Sequence, residues 1–533
     1  MADHLTPGIL VEESPGRETA LDAFPAGVTG FVGSMARGPV NEAIHVETSE
    51  EFDRHFSVAG VEPPLQRCVH DFFRAGGTRA AVVRVANGAR SCTIRLPARE
   101  GALVLEAISP GRREYLRASV DYDNISPADD GTFNLVVQRL RAPGTERVAD
   151  QEIYPRLSIR PAAERYVTDT LMESRLVRVR GPTPPSRPEA SVSTAPGYPV
   201  SWVVADDDGT DGAALTDYDL VGSAMQGSGL FALNGVGPLD FICLPPGDDG
   251  RVAGPALLLA ALRYARRRRA MLILEPQAKG GDADGALEWL GGLNIAAENA
   301  IAVFPPLAGD ARSAGWPAGG AVAGALSKDT AEVMPVLGGQ FRPLVELAPE
   351  ARRRLQAAGI NVIGRGSGGR TVLDGDRTLA SPECPVQAWR ALSARRLALA
   401  VERTLLQGTR WVVFETPGPD LARRLCTQLS RWLESLRFEG RLAGETAQAW
   451  FVDVNEVSAP TRPTRIEFTV GFAPSRPGDF VIYRVSQGLH AARLVPVSAE
   501  RWAITQPLHG GAGLHNAADD SPGAEALIER EAG

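Results

Sequence analysis

Cysteine and histidine are scarce in this sequence of 533 residues. The five cysteines are odd in number and widely spaced, with no CxxC pair. We therefore expect small buried thiols in a reducing compartment, and neither disulfides nor a metal site. The seven histidines form no HxH, HxxxH or HExxH pair, which argues against the usual metal hydrolases. We predict no metal and no cofactor. The cysteines are Cys68, Cys92, Cys243, Cys384 and Cys426.

Long apolar runs and excess positive charge are also missing. No window approaches the ~20 apolar residues of a membrane span, and the amino terminus has neither the basic nor the apolar region of a secretory signal. We expect the chain to stay in the cytosol unless a larger particle carries it out. The net charge of -8 argues against sequence-independent binding to nucleic acid. The arginine run at 266 to 269 is interpreted as a helix end, where cations complement the helix dipole.

Motifs for catalysis are missing or incomplete. Residues 364 to 369 match GxGxxG, but an extended segment follows them instead of a helix, so we predict a loop. Residues 206 to 212 are as acidic as a calcium loop but lack its twelfth-position glutamate, which favours a turn. No GxSxG elbow and no P-loop occurs. The sequence offers no positive evidence for an enzyme.

The remaining composition is typical of a folded protein with several domains. Apolar residues make up 44% and charged residues 23%, and the length predicts roughly three or four domains of ~150 residues. A strand at 28 to 33, a helix at 64 to 74 and a strand at 80 to 85 form a predicted αβ unit. Short strands from 90 to about 185 predict a β-rich domain, and strands alternating with helices from about 200 to 350 predict an α/β layer with nearly parallel strands.

From residue 388 onward the pattern is first helical and then extended. One helix is followed by a predicted strand at 411 to 414. A second helix at 417 to 438 carries its leucines and a tryptophan on one stripe that demands burial. A further strand is predicted at 449 to 454. The segment at 479 to 485 alternates like a strand behind two prolines, and no partner is obvious beside it in the chain.

Two extended segments, one near each end of the chain, suggest strands donated to neighbouring copies. The first is residues 6 to 13 and the second is the segment at 479 to 485. The alternative is that both arms fold back onto their own domain. The residues assigned to these inter-subunit arms are Ile9, Leu10, Val11 and Glu12 at the amino end, and Phe480, Ile482, Tyr483 and Val485 at the carboxyl end.

The order of segments resembles the tail sheath family of contractile phages and of phage-like contractile injection systems. No single motif is specific, whereas the order over the whole chain is. The family usually ends near Gln487, but this chain continues for 46 more residues. The segments that carry the resemblance are 5 to 13, 28 to 33 with 37 to 39, 49 to 56, 71 to 77 with 83 to 85, 357 to 361 with 377 to 379, 411 to 415, 432 to 436 with 440 and 444, 449 to 452, and 473 to 487.

The resemblance implies a multidomain α+β and α/β fold. A core α+β attachment domain from both chain ends would carry inserted β-rich and α/β domains, with extended strand arms at both termini. The expected divisions are an amino-terminal arm at 1 to 25, a core at 26 to 86 plus 388 to 475, a β-rich insert at 87 to 188, an α/β insert at 189 to 387, a carboxyl-terminal arm at 476 to 487 and an extension at 488 to 533.

The resemblance also implies a mechanical function without enzymatic activity. Sheath subunits form hexameric rings stacked around an inner tube, their arms complete a sheet on a neighbour, and contraction drives the tube through a target envelope. Expected partners are other copies of the chain, the inner tube protein, and baseplate and cap proteins, with no nucleic acid and no direct membrane insertion. The chain would be assembled in the cytoplasm as part of a phage tail or tail-like particle. Arg423, Arg424 and Arg431, on the exposed side of the second helix, are candidates for the tube contact.

Two other functions stay open on the sequence alone. A low-copy terminal or baseplate-proximal sheath variant, or adaptor, would be distinguished by the extension. An α/β enzyme using residues 200 to 350 would need a convergent polar pocket. If the arms exchange between subunits, deleting residues 1 to 20 or 476 to 487 should leave folded subunits that no longer form tubes.

Overall fold

The computed structural model describes residues 21, 27 to 58, 60 to 126, 128 to 191, 201 to 206, 208 to 247, 253 to 276, 282 to 309, 315 to 328, 335 to 416, 418 to 454 and 465 to 497. The strands in these ranges are β1 Val28–Gly33, β2 Ala43–Val46, β3 Ala80–Arg84, β4 Thr93–Pro97, β5 Ala102–Ala107, β6 Leu116–Asp121, β7 Thr132–Leu140, β8 Val148–Ser158, β9 Val177–Val179, β10 Val203–Val204, β11 Leu239–Cys243, β12 Met271–Leu274, β13 Ala300–Phe304, β14 Val336–Gly338, β15 Ile360–Arg365, β16 Thr371–Asp374, β17 Trp450–Val454, β18 Ile466–Phe472, β19 Val481–Gln487 and β20 Ala492–Val497. The α-helices are α1 Ser49–Phe56, α2 Pro64–Arg74, α3 Val167–Thr170, α4 Asp217–Val221, α5 Pro255–Arg268, α6 Ala283–Leu293, α7 Gly319–Ser327, α8 Pro349–Ala357, α9 Leu392–Gly408, α10 Pro419–Phe438 and α11 Thr446–Ala449.

A nine-stranded sheet organises the first large unit among the described residues. Its order is β14-β16-β15-β13-β12-β11-β1-β3-β2, and the six strands from β15 to β3 run parallel. Strands covered on both faces carry continuous apolar runs instead of alternating ones. Accordingly β1, β3, β12 and β13 are buried at every residue. The predicted α/β layer with parallel strands is confirmed.

Strand pairing groups the chain differently from the expected core. β1 pairs in parallel with β3 on one edge and with β11 on the other, so residues 28 to 84 and 239 to 374 share one sheet. The sequence predicts instead that 26 to 86 join 388 to 475. The observed grouping agrees with the burial of β1 at all six positions, because both faces of such a strand must be covered, as they are in a parallel sheet with helices on each side. The strands between 450 and 497 form a separate antiparallel sheet.

Helices cover both faces of this sheet. Helices α1, α2 and α7 contribute to one apolar cluster, and α5, α6 and α8 contribute to the cluster on the opposite face. Helices α2 and α7 approach closely because Gly320 and Gly324 lack side chains. A Cβ atom built at Gly320 would overlap the carbonyl oxygen of Cys68, and one at Gly324 would overlap that of Phe72. The predicted helix at 64 to 74 is therefore confirmed, and it packs beside α7 on the same face of the sheet.

The second unit is the predicted β-rich domain. Its two sheets, ordered β10-β6-β7-β8 and β4-β5-β9, enclose one apolar cluster. β6 and β8 are not predicted by the sequence pattern. β8 is mostly exposed and lacks an apolar face of its own, so its pattern carries no burial signal. Cys92 lies in this cluster, and the cysteines among the described residues are free thiols, three of them buried.

The third unit combines α9, α10 and an antiparallel sheet of order β17-β18-β19-β20. The predicted strand at 411 to 414 is wrong, because Arg410–Phe414 is a 3-10 turn between the two helices. Its Val412 is buried in their shared cluster, and packing there overrides the β-propensity of the segment. The predicted stripe of α10 is confirmed, since all its members are buried. They are Leu421, Leu425, Leu429, Trp432, Leu433 and Leu436.

Two loop predictions are also supported. Residues 364 to 369 end β15 and turn into the antiparallel β16, so the GxGxxG match is the tip of a hairpin. The acidic segment that follows residue 205 packs along the β-rich domain, where Asp206 accepts a hydrogen bond from the backbone N–H of Thr93 at 2.9 Å. Within the described ranges, no helix is both long enough and apolar enough to cross a membrane.

Candidate functional site: the carboxyl-terminal sheet

The segment predicted to be an unpaired arm is an internal strand of its own chain. β19 pairs along its whole length with β18, and six of its residues also pair with β20. Ile482, Tyr483 and Val485 are buried, and the ring of Phe480 packs edge-on against Phe451 with centroids 5.1 Å apart. The prediction that this segment has no partner nearby is wrong, because β18 was not recognised and β20 comes from the extension. Deleting residues 476 to 487 would thus remove a core strand.

Two polar side chains dock β19 onto helix α9. The Tyr483 hydroxyl donates to Glu402 at 2.7 Å. The Gln487 amide donates to Thr409 Oγ1 at 2.9 Å and to backbone carbonyls at the end of α9, including that of Leu406 at 3.0 Å. Burial, and then the Glu402 carboxylate, raise the pKa of Tyr483 well above its ordinary value, so its hydroxyl stays a donor. Because a one-residue slip would turn both side chains away from α9, these bonds fix the register of β19.

The same glutamate connects α9 to the large sheet. Glu402 forms ion pairs with Arg395 at 2.9 Å and with Arg269, at the end of α5, at 3.1 Å. Arg395 also donates to Asn299 Oδ1, next to β13, at 2.9 and 3.1 Å. Every charged member is thus paired, as buried charges require. A displacement of β19 would therefore disturb contacts that reach the nine-stranded sheet.

Within the described ranges, both edges of the carboxyl-terminal sheet, the outer edges of β17 and β20, are free of a neighbouring strand. β20 is largely exposed and contains Pro496, a residue tolerated on edge strands. Unpaired N–H and C=O groups on such edges are ready to accept a strand from another chain.

The amino-terminal segment enters the protein beside this sheet. Leu21 is buried in the same apolar cluster as Leu405 and lies against Gly408 at the end of α9. The predicted arm residues Ile9, Leu10, Val11 and Glu12 lie outside the described residues. Leu21 lies ten positions after Val11, and ten residues reach at most about 35 Å when extended.

The three arginines predicted to face the tube are exposed on α10, opposite its buried stripe. Arg423 pairs with Asp420 at 3.0 Å, and Arg424 pairs with Glu415 at 3.3 Å and lies over the Trp411 ring. Solvent-exposed pairs of this kind contribute roughly 0 to 1 kcal/mol and are easily exchanged for other partners. The helix therefore presents three exposed arginines, of which Arg423 and Arg424 have a carboxylate partner within the chain.

The arginine run at 266 to 269 makes contacts within the chain. Arg266 pairs with Glu298 at 3.0 Å, and Arg268 donates to the carbonyls of Leu233 and Val236 at 2.7 Å each. Arg269 adopts the left-handed cap conformation at the end of α5. The interpretation as a helix end is confirmed.

The carboxyl edge of the parallel sheet is where α/β enzymes bind ligands, because helix N-termini there attract anions. In this chain protein carboxylates occupy two such positions. Asp217 accepts from two backbone N–H groups at the start of α5, at 3.0 and 3.1 Å. Glu275 accepts from two at the start of α7, at 2.7 and 2.9 Å. Burial raises the pKa of Glu275 to about 7. Across the described residues, no group of three His, Cys, Asp or Glu side chains could hold a metal ion.

The solved structures to which the chain is similar include sheath proteins. The chain is similar to a sheath tail protein from Listeria innocua, with 13% identity and a TM-score of 0.62 over 88% of this chain and 97% of the other. It is similar to a sheath tail protein from Desulfitobacterium hafniense, with 14% identity and a TM-score of 0.56 over 90% and 100%. It is also similar to the contracted sheath complex of the extracellular contractile injection system PVC, with 14% identity and a TM-score of 0.51 over 90% and 97%.

No family model and no curated protein sequence matches the chain. At identities this low, the structural likeness establishes the fold and not the activity. The resemblance predicted from the order of segments is confirmed at the level of the fold.

Proposed function

We propose that this chain is the repeating subunit of a contractile tail sheath, with a mechanical role and no enzymatic one. Copies of it would polymerise as stacked hexameric rings around an inner tube, and contraction would drive the tube through a target envelope. The observation that carries the proposal is the likeness to sheath tail proteins over 88% and 90% of the chain.

The open edges of the carboxyl-terminal sheet support strand exchange by the amino-terminal arm. Residues 9 to 12 follow an extended pattern, and Leu21 anchors their chain beside the sheet that offers those edges. Main-chain hydrogen bonds would hold the arm on the sheet of the neighbouring subunit. The folded parts of the two subunits could then rotate relative to each other about the residues that connect the arm to its own subunit. Two arrangements of rigid units joined in this way give a bistable assembly that can release stored free energy.

Removing residues 1 to 20 tests the role of the arm. The shortened chain should remain soluble and folded by circular dichroism, because Leu21 and the whole described fold are kept, but it should no longer sediment as polymer. Ile9→Pro should act like the deletion, since proline removes a ladder hydrogen bond, whereas the matched control Ile9→Val should still sediment. Normal sedimentation of the deletion variant would exclude exchange of this arm.

We propose that the exposed arginines of α10 contact an acidic surface of the tube protein, which would replace Asp420 and Glu415 as partners of Arg423 and Arg424. Arg423, Arg424 and Arg431 are exposed together, and complementary charges raise association rates and set the relative orientation of partners. Changing Arg423 and Arg431 to Glu should weaken co-sedimentation with the tube protein about tenfold or more. The control with Lys at both positions should bind nearly as well. Equal binding by the Glu and Lys variants would place the tube contact elsewhere.

One observation favours the alternative of a low-copy terminal or baseplate-proximal variant or adaptor. β20 belongs to the extension and covers the edge of β19, an edge that a neighbour's strand would use if the chain ended at β19. Quantitative mass spectrometry of purified particles separates the two functions. Copy numbers equal to those of the tube protein support the repeating subunit, and about six copies per particle would support the terminal variant.

A further inference from the structure

An apolar groove runs along the outer side of helix α5. It has a volume of about 410 Å³ and lies between α5 and the segment that leads from α6 to β13. Leu258, Leu259, Leu262 and Ile295 line it, and the Leu259 side chain is 52% exposed. Concave sites lined by apolar side chains with a few polar groups are typical of binding sites.

The rim of the groove is positively charged. Arg263 and Arg266 line it and Arg267 follows on the same helix, all three exposed. Arg266 is already paired with Glu298, whereas no carboxylate of the described residues forms an ion pair with Arg263 or Arg267. The occupant that fits this groove therefore carries apolar side chains together with acidic ones.

The carboxyl-terminal residues of the chain have this composition. Among residues 523 to 533, Ala524, Leu527 and Ile528 follow the i, i+3, i+4 spacing of one helical face, and the other residues include three glutamates and a single arginine. The segment starts 26 residues after Val497, where the described residues end, since 523 minus 497 is 26. A stretch of that length can span roughly 90 Å, against a radius of gyration of about 24 Å for a compact chain of this size.

We infer that residues 523 to 533 bind the α5 groove. Leu527 and Ile528 enter the apolar floor beside Leu259, and the glutamates face Arg263 and Arg267. Binding of this segment does not require polymerisation, because the groove belongs to one folded unit and the connecting residues are long enough to reach it within a single chain. The end of the extension would thus bind a defined site on the folded protein.

A labelled peptide tests the inference. The probe is residues 521 to 533 with a fluorophore, and the receptor is the chain shortened to end at residue 520. Fluorescence polarisation should show saturable binding that weakens as salt rises, since charged contacts are screened. Leu259→Glu and Arg263→Glu should each weaken binding about tenfold. The control Met225→Glu changes a side chain that is 99% exposed and outside the groove lining, and it should bind like the parent.

Competition between the peptide and the chain's own carboxyl-terminal segment gives a second test of binding to the α5 groove. The unshortened chain should bind the peptide at least about tenfold more weakly than the shortened one, because a tethered segment competes at an effective concentration near the millimolar range. If that competition grows with protein concentration, the segment docks on a neighbouring copy; if it does not, the segment docks on its own chain. Failure to bind, or binding unchanged by Leu259→Glu and Arg263→Glu, would overturn the inference.

Discussion

Glu275 is a carboxylate at the start of α7, and no cation among the described residues forms an ion pair with it. Its two oxygens accept backbone N–H groups at 2.7 and 2.9 Å, yet burial outweighs these bonds and raises its pKa to about 7 from 4.5. The folded chain therefore binds a proton more tightly than the unfolded chain between these values. By linkage, this residue lowers the free energy of unfolding as pH rises from about 4.5 to about 7.

Glu275→Gln should remove that pH dependence. Relative to the parent, the variant should gain roughly 2 kcal/mol in the free energy of unfolding on going from pH 5 to pH 8. Urea denaturation followed by tryptophan fluorescence at both pH values measures the difference. The matched control Glu100→Gln alters an exposed carboxylate and should change stability by the same small amount at both pH values. If Glu275→Gln changed the free energy of unfolding equally at both pH values, the raised pKa of Glu275 would be contradicted.

At the residue scale, helical periodicity predicted more than strand alternation did. Periodicity placed the buried stripe of α10 and the exposure of Arg423 and Arg431 correctly, because helical neighbours are fixed by local spacing. The contacts of Tyr483 with Glu402 and of Gln487 with α9 join residues about 80 positions apart. Such pairs depend on tertiary packing, so no local pattern reveals them.

Among the described helices of the large unit, α2 and α7 pack most closely against each other. Gly320 faces the backbone of α2 at Cys68 with no room for a Cβ atom. α7 is buried on all sides apart from its last residue, and a nearly uniform run of Gly and Ala gives it no amphipathic pattern. For this reason α7 is not predictable from the sequence pattern, although the helix helps to cover one face of the sheet.

Gly320→Ala should destabilise the protein by about 3 kcal/mol, because the backbones of α2 and α7 must separate. The matched control is Gly291→Ala in α6, where an added Cβ meets nothing within 4 Å. That change should stabilise by up to about 1 kcal/mol through the better helix propensity of alanine. Thermal unfolding of both variants by calorimetry measures the contrast. Similar melting temperatures for the two would show that α7 does not pack as described.

The type of an element could be predicted from the sequence where its burial pattern is strong. The prediction failed where a strand pairs with a segment that is distant or was not recognised. β1, α2 and β3 were predicted nearly to the residue. The segment at 411 to 414 has a strand-like composition but closes a turn between two helices. The arm assignment of β19 failed because β18, its partner in the same chain, was not identified.

At the scale of the molecule, one network joins the carboxyl-terminal sheet to the nine-stranded sheet. It runs from Tyr483 through Glu402 to Arg395 and Asn299. The third unit is thus rigidly connected to the first, while its outer strand edges stay open among the described residues. A subunit built in this way can be linked to neighbours through its sheet edges and can move as a whole when those neighbours rearrange.

Negative-stain electron microscopy of the purified full-length chain tests the sheath assignment most directly. The account predicts hollow cylinders with a helical surface, formed by the chain alone or on addition of its tube protein. Only monomers or single small rings under both conditions, from protein that is folded by circular dichroism, would contradict a repeating sheath subunit.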